Sequence, residues 1–177
     1  MGDSELRSFP DIQIRPARRD EIETLADLGL SSWINGIKPF VLPSVTAKIM
    51  ADNPFISFIA AMGPRVKVAT VDHEAAGIAA CEHDDGKISD LWVSPHFECR
   101  GVGRALLLYL EGELAAAGFP SADIEVAAAN ARAYRLYQHL GYVEIWRATK
   151  FDPNLAIALE KIGLRKDLVT ASHERTE

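Results

Sequence analysis

Residues Leu91 to Leu107 read LWVSPHFECRGVGRALL, and this stretch decides the architecture. Leu91, Trp92 and Val93 are strand-prone, and Pro95, which has no N–H to give to a ladder, closes the strand. Beyond the following loop, Leu106, Leu107, Leu110, Leu114 and Ala117 recur at helical spacing, so the loop leads into a helix. Gly101 and Gly103 stand in that loop, where the missing Cβ lets a ligand come close to the main chain. A helix opening just after them offers unpaired N–H groups and the positive end of its dipole, and Arg100 and Arg104 add cationic side chains. The combination points to a phosphate or diphosphate cradle. A plain glycine-bearing turn with two solvated arginines has the same spacing. A dinucleotide fingerprint would need a third glycine where Leu106 stands, and a Walker loop would need Gly-Lys-Ser/Thr; neither pattern is present.

Working upstream, residues 66–71, 75–82 and 87–93 are short strand-prone runs separated by Asp72-His73-Glu74 and Asp84-Asp85-Gly86, as in an antiparallel meander. Residues 11–15 alternate as a first strand that Pro16 ends. Asp20 offers an N-cap to a helix running towards Leu30, with Glu21 and Glu23 in its first turn. Ser44 to about Ala51 reads as a second short helix. Asn53-Pro54 has the order of an N-cap and a first-turn proline, which makes 55–62 a third helix, with a strand as the competing reading. Downstream, Gly118 and Pro120 stop the long helix. Residues 124–128 then read as a strand, 131–140 as a helix ended by Gly141, and 142–149 as a strand. Residues 155–162 alternate weakly and are taken as a last strand, a helix being the alternative. This order describes an α/β (α+β) chain: a mixed, mostly antiparallel sheet of about seven strands with helices on both faces.

The length of 177 residues suits one domain, placed at residues 9–165 between a loose N-terminus (1–8) and a polar C-terminal tail (166–177). A net charge of −6 without any Lys/Arg run argues against nucleic acid as a partner. Cys81 and Cys99 cannot build a disulfide scaffold and suit a reducing compartment. The chain opens on no signal-like apolar run, and no stretch approaches the ~20 apolar residues that cross a bilayer, so no membrane partner and a cytoplasmic location are expected. Five histidines show no metal spacing, and no metal is expected.

A second stretch, residues 124–142, reads IEVAAANARAYRLYQHLGY. Asn130, Ala133 or Tyr134, and Tyr137 recur on one helical face, which therefore carries an amide and a phenol; by itself an aromatic at that spacing is more often core. Together the two stretches resemble the GCN5-related N-acetyltransferase (GNAT) superfamily. Its acetyl-CoA motif, Gln/Arg-x-x-Gly-x-Gly/Ala, falls on Glu98-Cys99-Arg100-Gly101-Val102-Gly103, with Leu-Trp-Val-Ser-Pro before it and Arg104-Ala105-Leu-Leu after it. Its later motif, Asn-x-x-Ala-x-x-Leu-Tyr-x-x-x-Gly-Tyr, matches in full from Asn130 to Tyr142. The chain departs from the first motif at Glu98, where Gln or Arg is usual, and at Cys99, commonly a glycine. A carboxylate facing a diphosphate is repulsive, so either Glu98 turns away while Arg100 and Arg104 compensate, or cofactor affinity is weakened; the intact Gly101-x-Gly103 favours the first.

The resemblance implies a single acetyltransferase domain in which an amine attacks the thioester of acetyl-CoA directly. It assigns the diphosphate to Glu98, Cys99, Arg100, Gly101, Val102, Gly103, Arg104 and Ala105. The pantetheine arm would lie beside the Trp92 and Val93 main chain like an added strand, near Asn130, Ala133 and Tyr137. Tyr137 matches the tyrosine that protonates the leaving thiolate, a task a phenol of pKa ~10 can perform. Glu125, in Ile-Glu-Val, matches the general-base glutamate of the ribosomal-protein alanine acetyltransferases, although an outward carboxylate on an alternating strand has the same pattern. Asp90 and Glu82 are the other carboxylates considered for the base. Trp33 and Phe40 fall where the family shapes its acceptor pocket. Cys99 lacks a placed histidine and is not expected to act as a nucleophile. The acceptor is an amine of a small molecule or a protein, and the last strands offer an edge for a homodimer. A non-catalytic acyl-CoA-binding module and an enzyme using another acyl-CoA are the alternatives.

Overall fold

The structure, a computed structural model, describes residues 11–152 and 157–168. Among these residues the chain forms two four-stranded sheets. In the first, β1 (Ile12–Pro16), β2 (Lys67–Val71), β3 (Glu74–Ala80) and β5 (Asp90–Val93) pair antiparallel in that order. In the second, the order is β4 (Lys87–Ile88), β6 (Ser121–Ala127), β8 (Ile157–Asp167) and β7 (Val143–Asp152), and only the β4–β6 pair is parallel.

The run expected as one strand over 87–93 is therefore divided between the sheets. Ser89 is where it divides. Its N–H and its hydroxyl both donate to the Ala80 carbonyl, at 3.0 and 3.1 Å, and its Oγ accepts from the Glu82 N–H at 3.0 Å. With the serine taking these end-of-strand groups, residues 87–88 are free to pair with β6 while 90–93 pair with β3. The two sheets part at this point.

β2 and β3 send apolar side chains to both faces, which is the pattern of a sheet covered on both sides. On one face, α1 (Ile22–Gly36), α2 (Pro43–Asp52) and α3 (Pro54–Met62) bury Leu25, Ala26, Ile49, Phe55 and Ile59 against Val68, Ile78 and Ala80. On the other, α4 (Val102–Ala116) packs Leu106, Leu107 and Leu110 with Ala69, Val71 and Ala79 of the first sheet and Ile124 and Leu164 of the second. α5 (Ala131–His139) joins this second core through Tyr137.

Several boundaries differ from the sequence reading: β6 already starts at Ser121 and β7 runs on to Asp152. α1 runs on to Gly36 because Trp33 is buried, and Asp20 does not cap it: a short 3₁₀ turn, Arg19–Glu21, precedes the helix. Glu21 organises that turn, accepting from the Arg18 N–H at 3.0 Å and from Arg15. Residues 55–62 are helical, yet the Asn53 side chain reaches Asp27 at 3.4 Å rather than the amides of α3. β8 continues to Asp167, into the expected polar tail, and Lys166 there donates to Glu111 at 2.6 Å. The start of the last strand expected at 155, the loose segment 1–8 and the tail from 169 onward lie outside the described residues.

Candidate active site

Between β5 and α4 the chain turns through Pro95–Phe97, then through Cys99 at φ 58° and Gly101 at φ 87°. Glycine is the residue that adopts the second angle without strain. Gly103 answers a different demand, since a Cβ there would lie 3.2 Å from Leu136 Cδ2 of α5 and 3.5 Å from Val93 Cγ2 of β5. Its absence lets α4 start close against both elements. The Ala105 N–H bonds to the Gly101 carbonyl at 2.9 Å, whereas the N–H groups of residues 99–104 have no acceptor among the described residues. Arg104 is exposed, and Arg100 lies over the Phe97 ring, 5.0 Å from its centroid.

The cations expected to compensate Glu98, Arg100 and Arg104, are not its partners. Asn35 of α1 donates to Glu98 Oε1 at 3.0 Å, and Arg132 of α5 pairs with Oε2. The same guanidinium reaches Cys99 Sγ at 3.7 Å. The hydrogen bond with Glu98, above all, holds the Arg132 pKa higher than its ordinary value.

β5 is the edge of the first sheet and faces the split. The Ser94 N–H bonds to the Ala76 carbonyl at 2.9 Å, and antiparallel alternation then commits the Trp92 main chain to its partner Ile78. Leu91 and Val93 turn their main-chain groups to the open edge. The open edge is thus offered by the Leu91 and Val93 main chain and not by that of Trp92, whose indole N–H donates to Asp90 Oδ1 at 3.2 Å and whose ring meets Phe55 edge-on at 5.3 Å.

A cleft of about 1260 Å³ opens on the side of α1–α3, lined among others by Trp33, Phe55, Asp90, Trp92, Glu125 and Lys161. Its carboxylates differ. Burial raises the Asp90 pKa, the Glu82 charge adds to this, and hydrogen bonds from Ser89 and Trp92 moderate it. Burial also acts to raise Glu125, but the Lys87 hydrogen bond at 2.6 Å and the charges of Lys87, Lys150 and Lys161 outweigh it, and the net shift is downward. Glu82 is exposed, 4.0 Å from His83. Phe40 is exposed and lines a smaller cavity of about 370 Å³ with Val41 and Arg147, which adjoins the cleft through the shared Ile37, Ala127 and Leu159, while Trp33 lines the cleft itself.

Tyr137 is buried, its ring 6.0 Å from that of Tyr142, and its hydroxyl has no hydrogen-bond partner among the described residues. Burial alone pushes its pKa far above that of a free phenol. Asn130 Oδ1 accepts the Ala133 N–H at 3.1 Å and so caps α5. Among the described residues no group of His, Cys, Asp and Glu could hold a metal ion, and no helix is long and apolar enough to cross a membrane.

Residues 33–142 match the acetyltransferase (GNAT) family. The chain belongs to this family. The [ribosomal protein bS18]-alanine N-acetyltransferase of Salmonella typhimurium is 38% identical over 77 residues, which are 42% of this chain and 52% of that protein. The chain thus spans about half the length of that curated relative. A GCN5-related N-acetyltransferase structure from Rhodopseudomonas palustris superposes with a TM-score of 0.72 at 22% identity, covering 91% of this chain and 97% of that one. The yncA structure from Salmonella typhimurium, solved with its cofactor acetyl-CoA, has a TM-score of 0.64 at 17% identity, covering 89% and 94%. These likenesses establish a GNAT fold.

Within this GNAT fold Gly103 of the loop lies against Val93 and Leu136, Tyr137 shares a core with Val93, Asn130 opens α5, and Glu125 and Asp90 line the cleft. Sequence reasoning missed Arg132, Asn35, Leu91 and the three lysines around Glu125. Arg132 lies inside the second motif, yet nothing local signals that it reaches Glu98. Lys87 was discoverable only through the parallel β4–β6 pairing.

Proposed function

We propose that this GNAT chain transfers the acetyl group of acetyl-CoA to a primary amine. The observation that carries this reading is the row of N–H groups at residues 99–104, without acceptors among the described residues, at the start of α4 and beside the open edge of β5. Such a row suits a diphosphate, and the Cβ-free Gly101 and Gly103 keep its approach clear. The cosubstrate would bring the activated acyl group; everything else is the work of this chain.

The loop amides, with Arg100 and Arg104 nearby, hold the diphosphate. Leu91 and Val93 offer the pantetheine arm main-chain partners in the manner of an added strand. Asn130 keeps its amide Nδ2 for the arm while Oδ1 caps α5. Tyr137, whose burial keeps it protonated throughout the physiological range, donates its proton to the departing sulfur. The electrostatics favour Asp90 over Glu125 as the group that takes the proton of the amine, directly or through water. Asp90 sits in an environment that strengthens its basicity, whereas Glu125 is neutralised by lysines.

The test is the release of free thiol from acetyl-CoA with a panel of amines. Tyr137→Phe should lower kcat by ~10²-fold with little change in stability, since the hydroxyl it removes is unpartnered. A variant as fast as the parent would remove Tyr137 from the acid role. Binding of CoA without turnover on any amine would instead favour a non-catalytic acyl-CoA-binding module.

A further inference from the structure

Glu98 is a carboxylate at the mouth of an anion cradle, and it is not idle. One oxygen is held by Asn35 at the end of α1, the other by Arg132 in the first turn of α5. The guanidinium also touches Cys99, so it stands over the beginning of the row of free amides. Two negative groups can claim it: Glu98, which is already there, and a phosphoryl oxyanion seated on residues 99–104. A guanidinium binds either one through its planar fork of N–H donors. Neither partner is sealed in the core, the side chains being 24% and 50% exposed, so an exchange requires no unpacking.

We propose that Arg132 is a phosphoryl ligand held back by Glu98, so that Glu98 lowers the affinity for CoA instead of contributing to it. The proposal rests on the reading of the loop given above. In the exchange, a phosphoryl group draws Arg132 away from Glu98 Oε2, and Asn35 keeps Glu98 turned from the loop through Oε1. The pair then acts as an internal competitor with two ends of opposite effect. Removing the carboxylate frees a cation for the ligand. Removing the cation leaves an uncompensated negative charge beside it.

The experiment is calorimetric titration of CoA into the full chain and into Glu98→Gln, Arg132→Gln and the double variant at low ionic strength. Melting of each free protein accompanies it, to confirm folding. Glu98→Gln should bind CoA about tenfold more tightly and Arg132→Gln about tenfold more weakly, the size of one charge-assisted hydrogen bond, with the double variant near the parent. A purely structural ion pair predicts shifts of the same sign for both single variants; that outcome, or unchanged affinity in both, overturns the proposal. If the parent chain binds no CoA, the reading of the loop itself fails, and this inference goes with it. Dephospho-CoA locates the phosphoryl partner. A gain in Glu98→Gln that persists with it assigns Arg132 to the diphosphate, and a gain that disappears assigns Arg132 to the 3′-phosphate.

Discussion

Asp90 and Glu125 carry the same functional group and line the same cleft, but their surroundings push them in opposite directions. Asp90 loses hydration and gains only neutral donors, Ser89 and the Trp92 indole, so its folded pKa lies above its unfolded one. Such a group favours the fold most at low pH, and that contribution fades as the pH rises through the folded value. At neutral pH ionised Asp90 is therefore a burden on stability. Asp90→Asn keeps an acceptor for Trp92 and should raise Tm at pH 7 by about 2–4 °C, a gain that shrinks towards pH 4. The same substitution should lower kcat if Asp90 is the base. Glu125 has the reverse sign. Its depressed pKa adds stability above the unfolded value, and that part is lost as the pH falls through the folded one. Because Lys87 and Glu125 remain partly solvated, Glu125→Gln should cost less than about 1 kcal/mol at pH 7. Thermal melts of both variants at pH 7 and pH 4 decide the matter. Parallel shifts of equal sign would show that the two carboxylates do not sit in the contrasting environments described.

At the scale of elements, the seat of α4 governs the amide row. Gly77 on β3 faces that seat: a Cβ there would lie 2.9 Å from Val102 Cγ1, 3.0 Å from Leu106 Cδ1 and 3.0 Å from the Trp92 carbonyl oxygen. The Trp92 oxygen belongs to backbone and Val102 to the first residue of α4, so little can give way. Gly77→Ala should cost about 1–3 kcal/mol by overpacking and, unlike an ordinary core substitution, weaken CoA binding as well, because it displaces the helix start. Gly112, inside the same helix with nothing near its Cβ position, is the control; Gly112→Ala should stabilise by about 0.5–1 kcal/mol and leave CoA binding alone. A Gly77→Ala protein with reduced Tm but unaltered CoA affinity would separate the helix seat from the site. Most elements were legible because their signals are local: the leucine spacing of α4, the glycines at positive φ, the asparagine that opens α5. The division at Ser89 was not, because a serine in a strand-prone run carries no breaking signal. Its effect depends on Ala80 and Glu82 across the turn. The site divides in the same way. The loop could be read from its glycines, whereas the Glu98–Arg132 pair and the lysine cage of Glu125 exist only once separate elements are folded together.

The molecule as a whole is two sheets held by a shared helix. α4 packs on Ala79 of the first sheet and Ile124 of the second, and the short passage through Ser89 is where the chain crosses between neighbouring strands of the two. A free strand edge is ordinarily a liability, since it invites pairing with another chain. Here the edge of β5 faces the split, and a ligand with amide groups along its length could satisfy it. If the pantetheine arm does so, CoA binding should join the two sheets and leave a spatial signature. In the free chain the Val93 amide should exchange with solvent quickly. At a CoA concentration a hundred times Kd it should slow, together with the amides of residues 99–104, while the outer edge of β7 stays unaffected. The same mass action should raise the unfolding free energy by about 2.7 kcal/mol. Residue-resolved hydrogen exchange, run with CoA and with adenosine 3′,5′-bisphosphate, tells the two parts of the ligand apart. The nucleotide lacks the arm and should leave Val93 exposed. Protection of the loop by CoA with no slowing at Val93 would mean that the arm runs elsewhere and that the free edge of β5 is not its seat.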